Sequence, residues 1–330
     1  MKIAYVICVN YSISHYNGIR MQANEWADEL IRQGHQVDRI NPWDNVEWES
    51  YNVIHLFGQV DFLYNFCTKI QQRNHNIVLS PIIDTIYNKI FYKAISYLGS
   101  KKLRLFSVNY QVRLSAKYIK QFIVRSKYEY DYVRMCYSIP PHKIHIVPLS
   151  FKVSQSTDNE GKEDFCLHVS KITDNRKNVR RLCLAAEKYK FNLVLAGSIS
   201  TESDFKPIKD IIERNNNISY VGRLSDKELL EYYSKAKVFA LPSINEGVGL
   251  VALEAAVNRC EIVITRIGGP KEYYNGQAYL VNPFDIDDIG KKIIEAMHQK
   301  RYQPGLSQYI YERYNLNTCV KKLATIYTNC

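Results

Sequence analysis

Glu246 and Glu254 stand eight residues apart and bracket the pair Gly247 and Gly249. Carboxylates accept hydrogen bonds from hydroxyls, and glycine lets a ligand come close to the backbone. The apolar run 238–241 ahead of them reads as a buried strand. Pro242-Ser243 ends it, and the Ala- and Leu-rich run 250–257 reads as a helix. The glycines then fall at a helix start, whose unpaired N–H groups and positive dipole end favour an anion such as phosphate. On one helix the two carboxylates would lie about 12 Å apart, and a loop at Glu246 would shorten that. A ligand carrying both hydroxyls and phosphate suits the arrangement.

Two other readings fit the same residues. Gly247-Val248-Gly249-Leu250-Val251-Ala252 satisfies the G-x-G-x-x-A dinucleotide fingerprint. That fingerprint wants an acid at the end of the next strand, and here Arg266 follows, with no acid until Glu272. The other is a helix start with glycines for packing and a surface glutamate.

These residues need a scaffold that presents strand ends. Short apolar runs at 3–9, 36–40, 53–57, 77–79, 122–124 and 144–147 read as strands separated by room for crossover helices. The pattern restarts at 165–169, 193–196, 219–221, 238–241 and 262–265. The polar stretch 154–162 between the two series reads as a linker. Two doubly wound α/β domains follow, which place ligands beyond the carboxyl ends of their strands. Gly18, His55 and Asp84 fall near such ends in the first half, and Lys171, Gly197, Glu246 and Gly268 in the second. If the ends face one another, a cleft between the domains receives the ligands. His55 is read equally as a cleft residue or as a core histidine. The segment 307–327 reads as helical.

The pattern resembles the retaining glycosyltransferases of family 4, which have the GT-B fold and a Glu-x7-Glu motif, here Glu246 to Glu254. The openings Met1-Lys2-Ile3-Ala4-Tyr5-Val6 and Asn17-Gly18-Ile19 are similar to the family's. So are Tyr220-Val221-Gly222-Arg223-Leu224-Ser225 and Gly268-Gly269-Pro270-Lys271-Glu272. The resemblance implies an N-terminal acceptor domain over 1–153 and a nucleotide-sugar domain over 154–306. It also implies a final helix, 307–330, crossing back to the first. It assigns Glu246 to the transferred sugar, Glu254 to the ribose, and Lys171 and Lys177 to the donor diphosphate. Lys171 stands where relatives usually have Arg, and a point charge replaces a planar fork there. The donor-binding set becomes Gly18, Gly197, Arg223, Gly247, Val248, Gly249, Leu250, Glu254 and Glu272. Where many relatives have an acceptor-side His, Asp84 stands, either in its place or as a helix cap, the reading preferred here.

The implied activity is transfer of a sugar from a nucleotide-sugar donor to a hydroxyl acceptor with retention, without metal or other cofactor. The departures leave room for a catalytically silent binding protein on the same scaffold. Sugar-nucleotide epimerisation or phosphorolysis is a weaker option.

The 330 residues suffice for two cores, and 46% hydrophobic with 23% charged residues suits a soluble protein. No run approaches roughly 18 apolar residues, so no membrane-spanning helix is expected. No cleavage pattern follows the N-terminus, so no signal peptide is expected. The eight cysteines form no C-x-x-C pair, which fits reduced cytoplasmic thiols and argues against zinc. The net charge of +11 is concentrated: between 85 and 127 there is no acid. Basic residues there include Lys89, Lys93, Lys101, Lys102 and Arg104. Residues 84–98 read as an amphipathic helix with Ile86, Ile90, Ala94 and Leu98 on one face. With Asp84, this basic and aromatic segment suggests a lipid-linked or surface-glycan acceptor and a peripheral place on the anionic inner face of the membrane. No nucleic-acid motif accompanies the charge, and a solvated basic face is the alternative.

Overall fold

Two series of short, mostly apolar runs fold into two six-stranded sheets, all parallel, in a computed structural model. It describes residues 1–7, 18–41, 43–59, 62–85, 87–100, 102–103, 105–151, 161–298, 303 and 305–330. The chain forms two units, Met1–Leu149 with Leu316–Cys330, and Ser150–Asn315. Residues 154–160 of the expected linker, 154–162, lie outside the described residues.

In the first unit the sheet order is β2-β1-β3-β4-β7-β8. The strands are β1 (Lys2–Ile7), β2 (Gln36–Arg39), β3 (Val53–Phe57), β4 (Ile77–Ser80), β7 (Gln121–Val124) and β8 (Ile144–Ile146). A small antiparallel hairpin pairs β5 (Gly99–Ser100) with β6 (Leu105–Phe106). Every residue of β3 and β4 is buried, as strands covered on both faces must be. The helices are α1 (Gly18–Arg32), α2 (Leu63–Ile70), α3 (Lys89–Ile95), α4 (Val108–Ser115) and α5 (Lys127–Tyr137). Ala23, Trp26, Ala27 and Leu30 form the buried stripe of α1 at helical spacing.

The second unit has order β11-β10-β9-β12-β13-β14. Its strands are β9 (Glu163–Val169), β10 (Leu193–Ala196), β11 (Ile218–Tyr220), β12 (Ala236–Leu241), β13 (Glu261–Thr265) and β14 (Tyr279–Val281). Helices α6 (Val179–Tyr189), α7 (Glu202–Glu213), α8 (Asp226–Lys235), α9 (Leu250–Val257), α10 (Ile286–His298) and α11 (Leu306–Tyr314) connect and cover them. The chain builds outward from β9 to β11, then returns to β12 on the other side of β9. The strand order therefore reverses between β9 and β12, where doubly wound sheets bind ligands.

Two helical expectations change. The segment 307–327 is two helices, α11 and α12 (Leu316–Thr328), broken at Asn315 with an extended backbone. Only α12 belongs to the first unit, where it packs on α1. The amphipathic helix expected over 84–98 is confined to α3, because Asn88, not Asp84, caps it by accepting from the Phe91 N–H at 2.9 Å. Asp84 is instead bound to Arg125 at 2.7 Å.

Candidate functional site

The loops after β9 and β12 are tied together at the point where strand order reverses. After β9, Asp174 caps a single turn (Asn175–Lys177) by accepting from the Arg176 N–H at 3.0 Å. Asn178 closes that turn in the left-handed region, φ +62°. Its buried side-chain amide donates to the Pro242 and Pro283 carbonyls at 3.0 and 2.6 Å. The Ile244 N–H donates to the Arg176 carbonyl at 2.8 Å. These bonds place the Lys177 ammonium 2.5 Å from Glu246 Oε2, which also accepts from the Ser243 hydroxyl at 3.2 Å. Lys177 and Glu246 are both mostly buried, so their attraction is less screened than at an open surface.

Glycines shape the rest by steric necessity. A Cβ on Gly197 would lie 1.7 Å from the Ser170 carbonyl oxygen, and one on Gly268 2.6 Å from that of Glu246. Gly249, at φ +75°, precedes α9 and faces the Glu246 side chain. Gly247, Val248 and Leu250 complete that turn, with Val248 buried.

Glu254 lies within α9, an almost wholly apolar and buried helix, and its Oε2 accepts from the buried Tyr233 hydroxyl at 3.2 Å. Burial first, then the Glu254 charge, holds the Tyr233 phenol protonated as a donor. Glu246 sits in the loop, so the spacing of the two glutamates is not a helical repeat. Beneath the loops, buried His168 bonds the Ala240 carbonyl at 2.8 Å and the Ser170 hydroxyl at 2.7 Å. Burial lowers its pKa to about 4, so it is neutral near pH 7. The partnerships of Asn178, Ser243, Tyr233 and His168 leave no local sign in the sequence, since they form only in the fold.

Of the expected donor residues, Lys177, Glu246, Gly247, Val248, Gly249 and Leu250 come together. Lys171 is exposed and makes no ion pair among the described residues. Arg223 is exposed beyond β11, and Glu272 is half-buried in the turn Pro270–Tyr274.

In the first unit, Gly18 opens α1 with free space where a Cβ would be, beside residues 8–17, which lie outside the described ones. His55 is a core residue. Its ring bonds the Tyr327 hydroxyl of α12 through Nδ1 and the Ser80 hydroxyl through Nε2 at 2.8 Å. Burial drives its pKa down to about 3. Asp84 pairs with buried Arg125, which also bonds Glu129 at 3.1 Å.

The basic run is partly neutralised from outside: Lys89 and Lys127 both bind Asp131, at 3.1 and 2.8 Å. Lys93 and Lys102 are exposed, while Ile86, Lys101 and Arg104 lie outside the described residues. The same segment exposes large apolar side chains: Ile90 is 83%, Leu103 71% and Leu98 64% exposed. Among the described residues no helix is long and apolar enough to cross a membrane.

HepE of Anabaena, solved in complex with UDP, superposes with a TM-score of 0.78 over 100% of both chains at 14% identity. The fold is that of the GT-B glycosyltransferases, two Rossmann-like domains each built on a parallel six-stranded sheet. Residues 151–313, nearly the whole second unit, match the family model of the glycosyl transferases group 1. That second unit is thus similar throughout to glycosyltransferase family 4.

An uncharacterized glycosyltransferase of Methanocaldococcus jannaschii is 28% identical over 178 residues, 51% of this chain and 49% of the relative. O-antigen chain mannosyltransferase B of Escherichia coli is 25% identical over 150 residues, 43% of this chain and 39% of the relative. The chain thus spans half or less of these two relatives.

Proposed function

We propose that the chain transfers a sugar, with retention of configuration, from a nucleotide-sugar donor to a hydroxyl of a lipid-linked or surface-polysaccharide acceptor. The observation that carries this reading is the Lys177–Glu246 pair at the reversal of strand order in the second unit. The cation suits the donor diphosphate, whose negative charge grows as the glycosidic bond breaks, and preorganised charge is the largest single aid to such a step. The neighbouring carboxylate accepts from sugar hydroxyls, and Glu254 from the ribose. In the step itself the acceptor oxygen bonds the anomeric carbon as the bond to the diphosphate breaks on the same face. The acceptor proton passes to the leaving phosphate oxygen. Lys171, Arg223, Glu272 and the Gly18 N–H are further donor contacts in this reading.

The acceptor side rests on the segment 87–105, where exposed Ile90, Leu98 and Leu103 stand among Lys93 and Lys102. Apolar side chains that insert beside cations that meet anionic headgroups suit peripheral attachment to the inner face of a membrane.

A thermal-shift screen against UDP-, GDP-, ADP- and CMP-sugars tests the donor reading. A donor at 100 times its Kd stabilises by about 2.7 kcal/mol, and no shift with any of them would overturn it. Sedimentation with vesicles of phosphatidylglycerol or of phosphatidylcholine tests the membrane reading, which predicts binding to the first alone.

A further inference from the structure

Tyr274 ends the turn Pro270–Tyr274 and is fully buried, yet its hydroxyl has no hydrogen-bond partner among the described residues. A buried tyrosine usually finds an acceptor for its O–H, and leaving that group unpaired costs stability. A phenylalanine would fill the same space without that cost. The segment that carries Tyr274 abuts Glu246, since the Glu246 carbonyl oxygen occupies the space where Gly268 would carry a Cβ. Burial first, then Tyr273, Tyr314 and Glu246, keeps the Tyr274 phenol protonated, so its hydroxyl remains a donor. Glu246 offers the matching acceptor: Lys177 and Ser243 both bond Oε2, and among the described residues no donor bonds Oε1.

Lys177 has two claimants. In the unliganded protein it holds Glu246, and the proposed donor brings a diphosphate that competes for the same ammonium. A carboxylate released by its cation needs another donor to keep its orientation toward the sugar. We propose that Tyr274 is a positioning residue for Glu246, taking Oε1 when the donor diphosphate draws Lys177 away. This rests on the donor-binding reading above.

The test compares wild type with Tyr274→Phe, alone and combined with Glu246→Ala. The ligands are UDP-glucose, GDP-mannose, ADP-glucose and CMP-sialic acid, and their sugar-free partners UDP, GDP, ADP and CMP. Tyr274→Phe should melt no lower than wild type and bind the sugar-free nucleotide with unchanged Kd. Its turnover of the nucleotide sugar should fall about tenfold or more, and within the Glu246→Ala variant it should change nothing further, since both act through one carboxylate. Full turnover by Tyr274→Phe, an equal loss of nucleotide affinity, or an additive loss in the double variant would overturn the proposal. Failure of wild type to bind any of the four sugars would instead overturn the donor reading, and this proposal with it.

Discussion

The Lys177 ammonium lies 2.5 Å from Glu246 Oε2, joining two loops that are 69 residues apart in sequence. The pair sets a cation suited to phosphate beside a carboxylate suited to sugar hydroxyls, at the ends of the adjacent strands β9 and β12, between which the strand order reverses.

Removing either partner should therefore damage catalysis more than folding. Lys177→Gln and Glu246→Gln should each lower kcat by about 100- to 1000-fold, the usual cost of losing one preorganised electrostatic contact. Steady-state kinetics with the donor identified by the screen, alongside melting curves, checks this. Loss of fold with no specific kinetic defect would count against it.

Gly197 has no room for any side chain. A methyl group there meets the Ser170 carbonyl oxygen at 1.7 Å, and the backbone φ of +140° already disfavours a side chain. Gly197→Ala should destabilise the second unit strongly, read as a lowered melting transition, whereas Gly34→Ala, with open space around it, should cost far less despite its positive φ.

The first unit is closed by a polar contact between chain ends. Tyr327 on α12 bonds buried His55 and, at 3.0 Å, the Tyr5 hydroxyl. Tyr327→Phe leaves both without that partner, at a cost of about 1–3 kcal/mol per buried group. Hydrogen exchange should show faster opening of α12 and β1 with no change in β9 or β12.

Buried neutral histidines give a signed pH dependence. His55 and His168 have folded pKa values of about 3 and about 4, below the ordinary 6.5. Between those values and 6.5 the unfolded chain binds more protons, so stability rises with pH. The contribution is complete above 6.5 and is lost as pH falls toward the folded values. Each histidine contributes a loss of about 2 kcal/mol between pH 7 and pH 5. His55→Phe should be less stable at pH 7 but lose less on acidification, as urea unfolding at both pH values would show. An unchanged slope would contradict this.

Membrane binding should depend on the apolar side chains and on cations that make no ion pair among the described residues. Ile90→Glu and Leu103→Glu should each cut sedimentation with phosphatidylglycerol vesicles several-fold. Lys89→Gln should matter less than Lys93→Gln, because Asp131 already neutralises Lys89.

Much of this was legible where local chemistry decides the structure. The run 238–241 followed by Pro242 and the glycines marks a strand end and a helix start, and the fold puts Glu246 and Gly249 there. The strand read at 193–196 matches β10. Lys177 was reached through family resemblance, because a basic residue in a loop carries no local sign of a carboxylate 69 positions away. The Tyr233–Glu254 bond and the bridging amide of Asn178 are tertiary and leave no periodic trace. β14 is only Tyr279-Leu280-Val281, too short to show alternation. The helix read from 84 shortens because Arg125 takes Asp84 and Ile82 adopts φ +54°, neither visible in hydrophobic spacing.

The most direct measurement is a crystal structure of the chain with a bound nucleotide sugar. The account predicts the diphosphate within hydrogen-bond distance of Lys177, the sugar hydroxyls at Glu246 and the ribose at Glu254. A nucleotide sugar bound away from the β9 and β12 strand ends, with Lys177 still on Glu246, would contradict it.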